Sequence, residues 1–268
     1  CAAVRLRARE TTRVMAQQGG SGRGGKGGGR GGGGKGGRRR GRQQGEHEAL
    51  SRKLAKLLRH RVHENGLGGV LRPDGGVPLA AVLALPGFQG YTPADVAQCV
   101  ETNDKQRFSL YREPGSGDGP GELLVRANQG HTFTEGLSDE AMLTPVVPTS
   151  EADSLMVLHG TYRAAWQAIE RQGLRRMARN HVHFAADMPG EGGVISGMRR
   201  SCEVAVWVDA MACVRAGLAF YKSQNGVYLT PGVGEDGVVP PKMFKSVIDL
   251  ATGQELLRPE AATKPYVP

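Results

Sequence analysis

Three arginines and a histidine carry the chemistry that this sequence suggests. Arg59-His60 closes a basic helical stretch, Arg107 opens a strand-like run, and Arg179 stands four residues before His183. None of them adjoins a carboxylate, so as a set they are poorly suited to moving protons. They are well suited to holding phosphate, because guanidinium stays charged and presents a planar fork of donors.

Leu158-His159-Gly160-Thr161 stands between Arg107 and Arg179, at the end of one strand and just before a helix. Glycine lets backbone approach a ligand closely, and its N–H and C=O can pair with a carboxamide edge. His159 can bond a ribose hydroxyl, and Thr161 completes the turn. A buried core histidine is the plainer reading of the tetrapeptide alone. Taken with the arginines, the turn points to an enzyme that handles phosphate beside a nicotinamide dinucleotide. The GxGxxG matches in the N-terminal tract do not bear on this, since no strand precedes them and glycine saturation produces them by composition. No GxxxxGK[ST] loop joins a strand to a helix. His181 and His183 share one strand face, but no third or fourth ligand lies at metal-binding spacing, so no metal is expected.

These groups need elements to position them. Leu50, Leu54, Leu57 and Leu58 form one apolar stripe of a helix that ends at Glu64-Asn65-Gly66. A short helix follows Pro78, and a third opens on Thr92-Pro93 and runs through Val96 and Val100. Two strands, 107–111 and 123–127, flank the Gly/Pro-rich loop 114–121. Three helices and a two-stranded wing predict a winged-helix-like lobe over 46–145. The stretch 130–152 reads as a connector. Short strands at 155–158, 181–185, 203–208, 227–230 and 247–250, with helices at 162–171 and 210–216, predict a second lobe over 150–255. The expected class is α+β rather than doubly wound, with 256–268 as a C-terminal tail.

The charge is unevenly spread. Residues 1–45 hold 12 of the 35 basic groups and one of the 26 acidic ones, leaving 23 basic against 25 acidic in the remainder. A positive site in the folded part must therefore come from arrangement. The Gly/Arg-rich residues 19–45 bury too little to offset ordering entropy and are expected to be disordered. Such an arm suits weak RNA-backbone binding; a soluble linker or a nuclear-import patch is the simpler alternative. Four cysteines (Cys1, Cys99, Cys202, Cys213) without CxxC spacing fit a reducing compartment. No apolar run nears the ~20 residues that span a bilayer. An intracellular protein of nucleus or cytoplasm, and a monomer, is the expectation. The chain begins at Cys1, and Met15-Ala16 would serve as an alternative start.

Motifs across both halves resemble the tRNA 2′-phosphotransferase (RNA 2′-phosphotransferase) family over nearly all of residues 48–250. In the first half they are Leu50-Ser51-x-x-Leu54-x-x-x-Leu58-Arg59-His60, Asp74-Gly75-Gly76, Asn103-Asp104-Lys105-Gln106-Arg107-Phe108 and Arg126-Ala127-Asn128-Gln129-Gly130-His131. The second half adds His159-Gly160-Thr161, Met177-x-Arg179-x-His181-Val182-His183, Ser196-Gly197-x-Arg199-Arg200 and Asn225-Gly226-Val227-Tyr228-Leu229-Thr230.

The resemblance implies a winged-helix-like lobe and an ADP-ribosyltransferase-like lobe. It implies NAD as co-substrate and 2′-phosphorylated tRNA as substrate. The products would be 2′-hydroxyl RNA, nicotinamide and ADP-ribose 1″,2″-cyclic phosphate, formed in two steps through a 2′-phospho-ADP-ribosylated RNA. The family's catalytic tetrad falls on Arg59, His60, Arg107 and Arg179. His159, Gly160 and Thr161 would seat the nicotinamide ribose, with Ser196 and Asn225 as further cofactor or loop contacts. Lys105 and His131 would touch RNA. Two other readings stay open at this point: an ADP-ribosyltransferase that caps phosphorylated RNA or DNA ends, and a noncatalytic RNA-binding module.

Overall fold

The structure is a computed structural model that describes residues 36–113, 121–188, 198, 199 and 201–257. Its first element, helix α1 (Gly36–His60), starts well ahead of Glu46, where the sequence pattern places the onset of order. Leu50, Leu54, Leu57 and Leu58 are all buried, so the predicted stripe is the face that α1 turns to the core.

Helix α2 (Leu79–Leu83) and helix α3 (Pro93–Glu101) pack beneath it. Thr92 and Asp95 form a reciprocal capping box at the start of α3 and satisfy two otherwise orphaned N–H groups. Strands β1 (Val77–Pro78), β2 (Phe108–Arg112) and β3 (Leu123–Ala127) make an antiparallel sheet in the order β1-β3-β2. The two-stranded wing expected from sequence therefore gains a third strand. The core of this half joins α1, α2, α3 and the inner sheet face through Leu54, Val82, Val96, Phe108 and Val125.

The stretch expected to be a connector holds structure. Ser138 caps helix α4 (Asp139–Met142), and β4 (Thr144–Pro145) follows it. β4 pairs with β9 (Tyr221–Lys222) in the second half, where the order is β4-β9-β10-β7, with β7 at Val182–Phe184 and β10 at Tyr228–Thr230. A second sheet runs β12-β8-β5, from β12 (Phe244–Asp249) and β8 (Val204–Asp209) to β5 (Met156–Thr161). A bridge between Leu158 and Ala185 joins β5 to β7, bringing the two sheets together there.

Helix α5 (Arg163–Gln172) covers one face and ends at Gly173, whose φ is +86°. A Cβ at Gly173 would lie 2.4 Å from the Val239 carbonyl oxygen, so only glycine fits. β6 (Leu174–Arg175) then pairs with β11 (Val238–Val239). Helix α6 (Ala210–Arg215) is capped by Asp209, which accepts from the N–H groups of Met211 and Ala212. The second core gathers Val157, Trp166, Phe184, Val206, Phe220 and Phe244. Small sheets and, among the described residues, six α-helices make this a mixed α/β structure, and Gln129, His131 and Phe133 hydrogen-bond to Asn180 and His183 of the second half.

Candidate active site

Arg59 and His60 occupy the last turn of α1, where the helix dipole favours positive charge. The segment after β3 wraps this end. Thr132 N–H donates to the Arg59 carbonyl at 3.0 Å, and His60 Nδ1 meets Thr132 Oγ1 at 3.1 Å. Gly130, at φ +91°, leaves room beside Arg59, whose Cζ and Nε would lie 3.4 Å from a Cβ there. Arg107 sits just before β2. Asn103 Oδ1 accepts its N–H at 3.1 Å and its Nη1 at 3.4 Å, and Asn103 is tied in turn to Ser51 of α1.

Arg179 comes from the other half, but its neighbours are stitched to the same segment. Asn180 N–H donates to the His131 carbonyl at 3.1 Å, and Asn180 Nδ2 donates to the Phe133 carbonyl at 2.7 Å. The segment 130–133 thus holds Arg59 and His60 on one side and the Arg179 loop on the other.

The electrostatics are those of an anion site. Arg59 Nε and Nη2 are buried without a hydrogen-bond partner. Burial, reinforced by Arg107 and Arg179, lowers the Arg59 pKa to about 10. Burial and then Arg199 lower Arg179. Burial, Arg59, Arg179 and Arg61 lower His60, so its imidazole is neutral at neutral pH. Among the described residues, none of Arg59, Arg107 and Arg179 forms an ion pair. Buried unpaired donors on a charged group are costly, and a bound phosphate would satisfy them.

Beside the cage lies a cavity of about 640 Å³. His159, Thr161, Ile169, Leu174, Met177 and Arg179 are among its lining residues. His159 Nδ1 donates to the His183 carbonyl at 2.9 Å, and burial lowers the His159 pKa. A neutral ring that donates from Nδ1 leaves Nε2 as an acceptor, ready for a hydroxyl hydrogen.

Leu158 exchanges both backbone bonds with Ala185. Bonding direction alternates along a strand, so Gly160 offers its N–H and C=O to the same edge, past the last described bridge to β7. Among the described residues those groups have no partner, and with the His159 acceptor they could hold a carboxamide and a ribose. The missing Cβ of Gly160 has a separate reason: it would stand 2.4 Å from Met198 Cγ and 2.8 Å from Cys202 Sγ on the opposite face. Gly160→Ala is expected to lose about 1–3 kcal/mol by overpacking, read as a lowered denaturant midpoint.

The other residues named from sequence fall elsewhere. His131 is 3% exposed, with Nε2 buried and unpartnered and its ring edge-on to Phe133. The structure therefore makes it an interior group. Asn225 is buried; its Nδ2 donates to the Lys105 carbonyl at 3.0 Å, pinning the loop between β9 and β10 to the segment before Arg107. It is not among the residues that line the His159 cavity. Lys105 borders a groove of about 630 Å³ with Ser51, Arg52, Asn103 and Arg107. Ser196 lies outside the described residues.

Sequence reasoning passed over Gln129. Its side-chain amide lies 2.8 Å from His183 Nε2, while His183 Nδ1 lies 2.9 Å from the His181 carbonyl. Burial holds the His183 pKa down to about 3. The atom of that amide placed toward Nε2 is Oε1, but a neutral ring that donates to the His181 carbonyl from Nδ1 needs a donor there, so the amide is assigned with its NH₂ turned toward Nε2. Gln129 thereby links the cage segment to the strand whose carbonyl orients His159.

Arginines from two packed cores, converging on an unpaired pocket beside a cavity, define a phosphate-handling α/β protein. Residues 45–232 match the RNA 2′-phosphotransferase, Tpt1/KptA family, and the chain belongs to it. It is 45% identical to tRNA 2′-phosphotransferase 1 of Bos taurus over 202 residues, covering 75% of each chain. The Homo sapiens protein of that name is 42% identical, again over 75% of each. A probable RNA 2′-phosphotransferase of Rhizobium rhizogenes is 33% identical over 71% of this chain and 92% of its own.

Proposed function

We propose that this enzyme removes the internal 2′-phosphate left at a splice junction in tRNA, with NAD as the acceptor. The observation that carries this reading is the Arg59 guanidinium, buried with Nε and Nη2 unpartnered and close enough to Arg107 and Arg179 for both to depress its pKa, while Arg179 lines the His159 cavity. In this reading the half built on α1, α2, α3 and β1–β3 is a winged-helix-like RNA lobe. The half built on β5, β7, β8 and α5 is an ADP-ribosyltransferase-like lobe.

Bound NAD supplies an electrophilic ribose carbon with nicotinamide as leaving group, and carries the phosphate away as ADP-ribose 1″,2″-cyclic phosphate. Arg59, Arg107 and Arg179 grip the RNA 2′-phosphate and aim one of its oxygens at that carbon. A phosphate oxygen is already nucleophilic, so no catalytic carboxylate is needed. Orientation supplies most of the rate, and well-placed attack is worth ~7–11 kcal/mol. His159 Nε2 and the Gly160 backbone hold the ribose and carboxamide, while Thr161 closes that end. In the second step the ribose 2″-hydroxyl would attack the phosphorus and the RNA 2′-oxygen would leave; charge would then spread over the non-bridging oxygens, where the same three guanidiniums stabilise it. The neutral His60 imidazole would take the proton of the attacking 2″-hydroxyl and return it to the departing RNA 2′-oxygen.

The test is a short RNA with one internal radiolabelled 2′-phosphate, incubated with and without NAD. Transfer of label to ADP-ribose cyclic phosphate only with NAD is the expected result. Label retained on RNA joined to ADP-ribose would instead favour end-capping chemistry, and no change at all would overturn the enzyme reading. Arg179→Ala is expected to slow transfer by about 10²–10³-fold. Full activity of that variant at limiting enzyme would remove Arg179 from the cage.

A further inference from the structure

Only two non-glycine residues among those described have positive φ: Gln106 at 41° and Met177 at 57°. Each stands close to a cage arginine, and such conformations persist only where the surroundings enforce them. Gln106 is accounted for by its bonds. Its N–H closes a turn on the Asn103 carbonyl at 2.8 Å, and its carbonyl accepts from Asn128 Nδ2 at 2.7 Å. The two together set the direction in which the chain enters Arg107.

Met177 has no such account. The Arg179 N–H closes its turn on the Arg176 carbonyl at 3.2 Å, with Met177 as the first central residue. A turn with positive φ at that position and not at the next strongly favours glycine there. Glycine would relieve the strain, yet methionine occupies the position and is 80% exposed. It stands on the rim of the dinucleotide cavity, over a wall that includes Ala165, Ile169 and Leu174. A large, exposed apolar side chain, held at conformational cost over a cavity mouth, is placed for a ligand.

We propose that Met177 is a binding residue for the dinucleotide, its thioether folding over one of the two flat heterocycles when the cavity fills. The inference rests on the NAD reading of that cavity. Methionine is well suited to this role, because three rotatable bonds let it swing onto a ring and its polarisable sulfur makes favourable contacts with aromatic systems.

The first variant to make is Met177→Gly, which removes side chain and strain together. Its thermal midpoint is expected to equal or exceed that of the parent, while KM for NAD rises about 5–10-fold. KM for the 2′-phosphorylated RNA should stay unchanged, and Met177→Leu should recover most of the NAD affinity. Calorimetric titration with ADP-ribose, which lacks nicotinamide, identifies the ring. Loss of ADP-ribose affinity in step with NAD places Met177 over adenine; loss for NAD alone places it over nicotinamide. An unchanged KM for NAD in Met177→Gly, in an enzyme whose parent requires NAD, overturns the proposal and leaves the cofactor reading standing. A parent that transfers phosphate without NAD overturns that reading and the proposal with it.

Discussion

Exchanging Arg59 for methionine is expected to raise the thermal midpoint while cutting phosphate transfer by about 10²–10³-fold. Both halves follow from one observation. The guanidinium loses its water without gaining partners at Nε and Nη2. Its pKa falls from 12.5 to about 10 through burial, Arg107 and Arg179. That shift corresponds to about 3 kcal/mol of unfavourable charge carried by the fold. Methionine keeps the stem that packs against Gly130 and discards the charge, and apolar replacement of such buried charge is often stabilising by about 1–4 kcal/mol. Each kcal/mol is worth about 2–4 °C in a chain of this size. The phosphate would lose a bidentate donor, hence the drop in rate. Arg59→Lys retains a charge but not the planar fork and should recover only part of it. Differential scanning calorimetry beside the labelled-phosphate assay reads both effects. A midpoint that falls together with activity would mean that Arg59 is structural, and the cage reading would fail with it.

What can be read from sequence, and what cannot, divides along physical lines. The stripe Leu50, Leu54, Leu57, Leu58 is legible because a helix writes its period into its own residues. The Thr92–Asp95 capping box is legible as a start for α3 because capping is local. β1 and β4 are not. Two residues carry no period, and Thr144-Pro145 becomes a strand only because Tyr221 and Lys222 lie beside it. The apolar pattern ends β5 at Leu158, whereas the strand runs to Thr161. His159-Gly160-Thr161 lacks the apolar alternation of a covered strand because one face looks into a cavity.

The site shows the same division. Residue type points to Arg59, Arg107 and Arg179, and the fold brings Arg107 and Arg179 close enough to depress Arg59. Type alone does not tell that His131 is interior, or that Asn225 reaches Lys105 across 120 residues of sequence. A glycine announces unusual backbone by its identity; Gln106 and Met177 carry no such mark, so their left-handed geometry appears only in three dimensions. Gln129 stands inside a recognisable motif, but its partner His183 belongs to the other half of the molecule, and only the packing of the two cores pairs them.

Acid should destabilise this protein well above the pH at which its carboxylates titrate. His131 and His183 are interior and neutral, with pKa values lowered by burial to about 4 and about 3 from 6.5. The unfolded chain takes up protons near pH 6.5 while the folded one refuses them, so the stability of the neutral forms is complete above 6.5. It drains as pH falls, at about 1.4 kcal/mol per unit for each ring. By pH 4.5 the two together cost about 5 kcal/mol, as much as the whole stability of many domains. Asp249, bonded to Arg163, also has a depressed pKa, but its contribution is lost only as pH falls below the ordinary carboxylate value of 3.8. The windows are separate, so the histidines own the limb from 6.5 to 4.5. Urea midpoints measured across that range should fall steeply in the parent. They should fall less steeply in His183→Gln, which can still bond the His181 carbonyl, while His131 and the buried His159 keep the rest of the slope. Equal midpoints at pH 7 and pH 5 would show that both rings reach water, and that the segment joining the three arginines to the His159 cavity is open where the structure shows it closed.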